Sequence, residues 1–336
     1  MTDQIGVIGA GAWGTTLAVK LAASERPVTI WAHTREANQE LATHRENRRY
    51  LPGITFPPNL RVATDAAYLS EPHRLFVVAV PSAHLRATLR ALRELLHPGA
   101  AVLSVVKGIE EGTHRRMSEV IDEELPGRRV AALSGPNMAR EIASGLPAGT
   151  VIASRDAELA AELAAVLGSE RLRVYTNPDL VGVELGGALN NVIALAAGFV
   201  DGLGLGDSGK AAIITRGLAE VTRLGVAAGA NPMTFAGLAG VGDVVVTCMS
   251  PLSRNRRAGE LMASGLSWAD VAARLNGVAE GVFTVRGALG LAQQHGVELP
   301  IAEQVDAVVH RGRAPMEAVA ALMGRSQKDE LAGLSA

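Results

Sequence analysis

A single cysteine, Cys248, stands in a chain of 336 residues. No disulfide can close within such a chain, which fits a reducing, cytoplasmic setting. An excess of either charge is missing as well. The formal net charge of −2 offers no electrostatic footprint for nucleic acid or an anionic membrane surface. The eight histidines show no H-E-x-x-H or other ligand spacing, so neither a structural nor a catalytic metal is expected. The first residues run straight into an apolar segment, without the basic region and cleavage site of a secretory leader. Lysine is scarce: Lys20, Lys107, Lys210 and Lys328 stand against 28 arginines. Codon bias accounts for most of that, and each retained lysine gains interest. Apolar residues are abundant, at 48% against 20% charged, which provides a large core and excludes global disorder. The length fits two domains.

The first half alternates short Val/Ile/Leu runs with helical stretches. Strands are predicted at Ile5–Ile8, Val28–Ala32, Arg61–Ala63, Leu75–Val80, Ala101–Val106, Val130–Ser134, Thr150–Ser154 and Leu172–Tyr175. Helices at His84–Leu96 and Ala157–Leu167 are among those between them. Continuous apolar runs suit strands covered on both faces, and the alternation predicts an α/β, doubly wound sheet of Rossmann type. At Asn177-Pro178-Asp179 a cap residue, a proline and an acid mark a helix start. Helical patterns dominate from there, clearest at Thr215–Leu224, Trp268–Leu275, Thr284–His295, Ile301–His310 and Met316–Met323. One short strand is expected at Val244–Thr247, and the polar tail from Ser326 is expected to fray. The division is therefore residues 1–177, a dinucleotide-binding domain, and 178–336, a mainly helical domain. The longest apolar stretch, Val181–Val200, has the length of a membrane span. It carries Glu184, Asn190 and Asn191, and reads instead as a helix buried in protein, lining a site with its polar residues.

Residues 5–14, IGVIGAGAWG, place Gly9, Gly11 and Gly14 at G-x-G-x-x-G spacing between a strand and a helix former. In that context the first glycine permits a tight turn, the second a close approach to a pyrophosphate, and the third helix-on-strand packing. The helix N-terminus then offers unpaired N–H groups and a positive dipole end to the phosphates. After the second strand, where an acid would read a ribose 2′-OH, the chain has His33 and Arg35 and no acid before Glu36. A 2′-phosphate suits Arg35, so NADP(H), or dual use with NAD(H), is expected. Ser134 or Asn137 caps a helix that follows a strand, and the exposed N–H groups there suit an anion or a carboxamide. Three arginines fall within Ser253-Arg254-Asn255-Arg256-Arg257. They cannot all point one way on a helix, and Arg254, flanked by Ser253 and Asn255, is the expected anion clamp. Ketone–alcohol chemistry needs a proton carrier. Lys107, just past a strand, and Asp243, in a glycine-flanked turn, are the candidates.

These segments, together with VVKGIE, SGPNMARE, VELGGAL, KAAIITRGLAE, GVGDVVVTC, SRNRR and VAEGVFT, resemble the bacterial branch of the NAD(P)-dependent glycerol-3-phosphate dehydrogenase family over nearly the whole chain. The resemblance implies a dimeric, cytoplasmic, two-domain enzyme reducing dihydroxyacetone phosphate to sn-glycerol 3-phosphate for phospholipid synthesis. It puts Ala12 and Trp13 at the pyrophosphate turn, His33 near the ribose and Ala139 beside the cofactor. Lys107 contacts cofactor and substrate. Gly135, Asn137, Asp243, Ser253, Arg254 and Asn255 meet substrate, Arg254 also facing cofactor. Val278 and Glu280 close over the nicotinamide, and Thr247 matches a threonine of the family's site.

One position departs from the pattern. The lysine that serves as proton donor and acceptor in the family is replaced by Asn190, whose carboxamide does not ionise near neutral pH. Three explanations stand side by side: an engineered substitution, a natural variant in which Lys107 takes the proton, or a paralogue that binds nucleotide and phosphate without turnover. Lys210 is the poorer substitute, because the family often has a lysine there as well. A related 3-hydroxyacid dehydrogenase shares the architecture, but SRNRR and GVGDVVVTC argue against it.

Overall fold

Residues 4–275, 277–327 and 329–330 are described by a computed structural model; of the tail expected to fray, Lys328 and residues 331–336 lie outside them. Two units divide the chain: Met1–Val106 with Met117–Leu180, and Lys107–Arg116 with Val181–Ala336. The short segment 107–116, placed in the first domain by the sequence, therefore packs in the second unit.

The first unit is built on eight strands: β1 (Ile5–Ile8), β2 (Val28–Trp31), β3 (Leu60–Val62), β4 (Leu75–Val78), β5 (Ala101–Ser104), β6 (Val130–Ser134), β7 (Ala148–Ala153) and β8 (Leu172–Asn177). Their order is β3-β2-β1-β4-β5-β6-β7-β8. All neighbours are parallel except β6 and β7. The helices α1 (Ala12–Ala23), α2 (Arg35–His44), α3 (Leu85–Leu92), α4 (Met117–Glu124), α5 (Ala139–Ala143) and α6 (Ala157–Leu167) join them. Alternate strand residues feed two cores: Ile5, Val7 and Val77 pack with Leu17 of α1, while Ile8, Phe76 and Val78 pack with Leu85 and Leu89 of α3. Parallel strands buried on both faces explain the continuous apolar runs. The order reverses between β1 and β4, and the carboxyl ends of strands at such a switch point are where ligands bind.

The second unit holds α7 (Leu180–Gly202), α8 (Gly206–Ala227), α9 (Asp243–Met249), α10 (Arg254–Ala263), α11 (Trp268–Arg274), α12 (Glu280–His295), α13 (Pro300–Arg311) and α14 (Pro315–Met323). By length and composition α7 is apolar enough to cross a membrane, but 94% of its most apolar stretch is buried inside the fold. It begins after the expected start. Asn177 ends β8, and its side chain accepts from the Asp179 N–H at 2.9 Å, so the Asn-Pro-Asp signal makes the turn that precedes the helix.

Three local expectations are corrected. Val244–Thr247 is helical, lying within α9. Its β-branched run favours a strand only weakly, whereas Val244 and Cys248, one helical turn apart, are both buried in the helical core, so tertiary packing decides. Asp243 is accordingly the first residue of α9, preceded by a π-helical turn at Leu238–Gly242. Finally, neither Ser134 nor Asn137 caps α5. Met138 holds the cap position without a side-chain hydrogen bond.

Candidate active site

In the first unit the glycine turn has the geometry its spacing demands. Gly9 has φ +109°, and a Cβ there would lie 2.5 Å from the Ala79 carbonyl oxygen. A Cβ on Gly14 would lie 2.1 Å from the Gly9 carbonyl oxygen. Around Gly11 no atom of the described residues comes within 4 Å of such a Cβ. Ala12 and Trp13 open α1, whose N-terminus has no side-chain cap and no acid in its first turn. Orphan N–H groups beside open space suit a pyrophosphate, so the residues present fit a dinucleotide.

Two asparagines brace this edge. Asn47 donates to the Ala10 carbonyl at 2.9 Å and to the Thr15 hydroxyl at 2.8 Å. Asn38 exchanges two hydrogen bonds with the Ala32 backbone, at 2.7 and 2.8 Å, fixing the turn that presents His33 and Arg35. Neither is marked in the sequence, since an isolated asparagine carries no motif. His33 is exposed and meets Trp31 edge-on at 6.3 Å, and Arg35 is the exposed first residue of α2. Beyond β6, Gly135 has φ +128°. Among the described residues, neither polar atom of the buried Asn137 carboxamide has a hydrogen-bond partner. Ala139 opens α5, and its carbonyl accepts from Thr16 of α1 at 3.0 Å.

In the second unit Lys107 Nζ donates to both carboxylate oxygens of Asp243, at 2.9 and 2.8 Å. The Lys107 side chain is 21% exposed and that of Asp243 5%. Burial pushes the Asp243 carboxyl above its ordinary value, opposed by the Lys107 charge and by hydrogen bonds from Lys107 and Asn190. Asn190, fully buried on α7, donates to the Ala239 and Gly240 carbonyls at 3.0 and 3.1 Å. Gly186, one turn earlier, permits this approach, since a Cβ there would lie 2.6 Å from the Ala239 oxygen. Among the described residues, the side-chain carbonyl oxygen of Asn190 has no partner.

Thr247 lies one turn beyond Asp243 on α9, on the same face, with its hydroxyl 3.3 Å from that of Ser253. Ser253 caps α10 by accepting from the Arg256 N–H at 3.2 Å. The three arginines divide as a helix requires. Arg256 pairs with Asp201 at 2.6 Å and with Glu260 at 2.6 Å, and Arg257 pairs with Glu260 at 3.0 Å. Arg254 is exposed at the first position of α10. Its guanidinium runs along the backbone at Gly277, where a Cβ would lie 2.5 Å from Nη1. That close approach, unmarked in the sequence, brings the segment of Val278 and Glu280 beside Arg254. Asn255 is engaged at both ends of its amide, accepting from the Gly281 N–H at 3.0 Å and donating to Asn191 at 2.7 Å. Lys210 is tied to Asp201 at 2.7 Å. Cys248 is buried, its thiol pushed up to about 12 by desolvation, which keeps it inert near neutral pH.

Two family models match the chain: the NAD-dependent glycerol-3-phosphate dehydrogenase N-terminus over residues 4–160 and the corresponding C-terminus over residues 179–320. A glycerol-3-phosphate dehydrogenase [NAD(P)+] from Desulfitobacterium hafniense is 47% identical over 98% of this chain and 93% of its own length. Another from Thermobifida fusca is 49% identical over 98% of this chain and 99% of its own. Among solved structures, the glycerol-3-phosphate dehydrogenase of Coxiella burnetii superposes with a TM-score of 0.93 at 35% identity, covering 96% of this chain and 99% of that one.

Proposed function

This chain belongs to the NAD-dependent glycerol-3-phosphate dehydrogenase family and is an NAD(P)-dependent oxidoreductase of glycerol 3-phosphate, and we propose that Lys107, paired with Asp243, carries its proton. The bidentate Lys107–Asp243 contact is the single observation behind this reading. The first unit binds the dinucleotide, with pyrophosphate at the Gly9–Gly14 turn, Ala12 and Trp13. His33 and Arg35 lie at the adenosine ribose, and Ala139 lies beside the cofactor. When bound, the reduced cofactor supplies hydride to the carbonyl carbon of dihydroxyacetone phosphate.

The second unit supplies the rest. Lys107 gives a proton to the carbonyl oxygen as it becomes an alkoxide, and takes it back in glycerol 3-phosphate oxidation. Asp243 holds the ammonium in place, and Asn190 holds the backbone that leads into Asp243. Arg254 clamps the phosphate, helped by Ser253 and Thr247, while Asn255 braces α10 against α7 and α12. Gly135 and Asn137 offer further polar contacts to substrate, and Val278 and Glu280 to the nicotinamide. A cytoplasmic dimer supplying phospholipid synthesis completes the proposal.

Removing a charge-assisted phosphate contact costs about 1.5–3 kcal/mol. Arg254→Ala therefore raises KM for dihydroxyacetone phosphate about 10- to 100-fold in an NADPH-oxidation assay, with Tm nearly unchanged because the side chain is exposed. A lowered Tm with unaltered KM shows the arginine to be structural. For the cofactor, Arg35→Asp weakens NADPH more than NADH, since the new carboxylate repels a 2′-phosphate and accepts from a 2′-OH. Titration of both cofactors checks this, and equal losses remove Arg35 from 2′-phosphate recognition.

A further inference from the structure

Lys107 stands at the head of a loop, 107–116, that belongs to the second unit although the strands before it and the helix after it belong to the first. The loop closes on itself by an antiparallel bridge between Ile109 and Arg116, with the Glu110 N–H donating to the Arg115 carbonyl at 2.9 Å. Ile109 is buried in the helical core. Its carbonyl lies so near α12 that a Cβ on Gly287 would stand 2.6 Å from the oxygen. At the far end, Arg116 Nη1 reaches Glu184 Oε2 of α7 at 2.5 Å, with side-chain exposures of 8% and 5%. The same helix holds the other half of the site, because Asn190 binds the Ala239 and Gly240 carbonyls just before Asp243. One rigid helix thus fixes the loop that carries Lys107 and the turn that carries Asp243.

We propose that the buried Arg116–Glu184 pair is a positioning device that clamps the 107–116 loop to α7 and sets Lys107 Nζ against Asp243. This rests on the reading of Lys107 as the proton carrier. Burying two charges for stability alone is poor economy, since apolar residues of similar size commonly serve as well. What the pair supplies is a directional, length-defined link, and small displacements of a reacting group carry large rate costs.

The test is a kinetic cycle on the full chain. Arg116→Met with Glu184→Met replaces the pair by apolar side chains and keeps the interior filled. The expected result is a native-like Tm, an unchanged NADPH Kd and a kcat lower by about tenfold or more. In a Lys107→Met background the same two substitutions change kcat by less than about twofold, because their effect runs through Lys107. Arg116→Lys keeps a cation opposite Glu184 but alters the length and direction of the link, so it gives a smaller Lys107-dependent loss of kcat with a native-like Tm. An unaltered kcat there overturns the proposal even if the double variant fails to fold. An unaltered kcat in the folded double variant, or losses that multiply fully in the Lys107→Met background, overturns the proposal. A normal kcat for Lys107→Met alone is a separate result, and it removes the proton role of Lys107 itself.

Discussion

Asn190→Lys raises kcat for dihydroxyacetone phosphate reduction by at least about 10²-fold, because a second ammonium beside the charge-balanced Lys107 offsets the developing alkoxide, the lower end of what one preorganised donor contributes, while the NADPH Kd stays the same. Three acceptors converge where the Asn190 amide nitrogen lies: the Ala239 and Gly240 carbonyls and the Asp243 carboxylate. A lysine here carries its ammonium on a longer stem, beyond the place of the carboxamide nitrogen, and presents three donors and no acceptor. The carboxamide leaves its own carbonyl oxygen buried and unpaired, which costs about 1–3 kcal/mol. A lysine removes that orphan and adds a positive charge to offset an alkoxide. Lys107 alone has its charge largely balanced by Asp243. The cofactor turn lies in the other unit, so its affinity is a control. Steady-state kinetics with a cofactor titration decide the matter. A kcat equal to that of the unmodified chain shows that a charge at position 190 has no part in stabilising the alkoxide. If neither chain turns over dihydroxyacetone phosphate, a nucleotide- and phosphate-binding role without turnover takes the place of catalysis.

Replacing Lys107 should do the opposite. Lys107→Met lowers kcat by about 10²–10⁴-fold and also leaves the buried Asp243 short of its cation, which costs stability. Lys107→Arg separates the two effects. Arginine keeps the ion pair but stays protonated at all accessible pH, so its Tm remains close to that of the unmodified chain while kcat still falls about 10²-fold or more. Calorimetry beside single-turnover kinetics reads both quantities. Full activity in Lys107→Arg shows that charge alone is needed and no proton passes through this residue. In the Asn190→Lys background the Lys107→Met loss shrinks, because two groups that share one role are not additive.

The sheet, the glycine turn and the family were legible from the residues alone. Strand runs such as Val28–Trp31 and Val130–Ser134 are apolar throughout because both faces of a parallel sheet are covered. The spacing of Gly9 and Gly14 already encodes the turn, the positive φ of Gly9 and the packing of Gly14 on the Gly9 carbonyl being local, while the clearance of Gly9 against Ala79 comes from the neighbouring strand. The sequence also singled out Lys107, Asp243 and Asn190, but only as separate points along the chain. Tertiary structure decided that these three meet, because the meeting depends on a loop leaving the first unit to pack on α7 and α12. It made Val244–Thr247 a helix, since burial of every fourth residue outweighs a weak β preference. It divided the SRNRR arginines into Arg256 and Arg257, engaged with acids at their own distances, and the exposed Arg254. The braces Asn38 and Asn47, and the bracing partners of Asn191 and Asn255, were illegible for one reason. A carboxamide's partners are chosen by what the fold brings within about 3 Å, and no spacing along the chain encodes that.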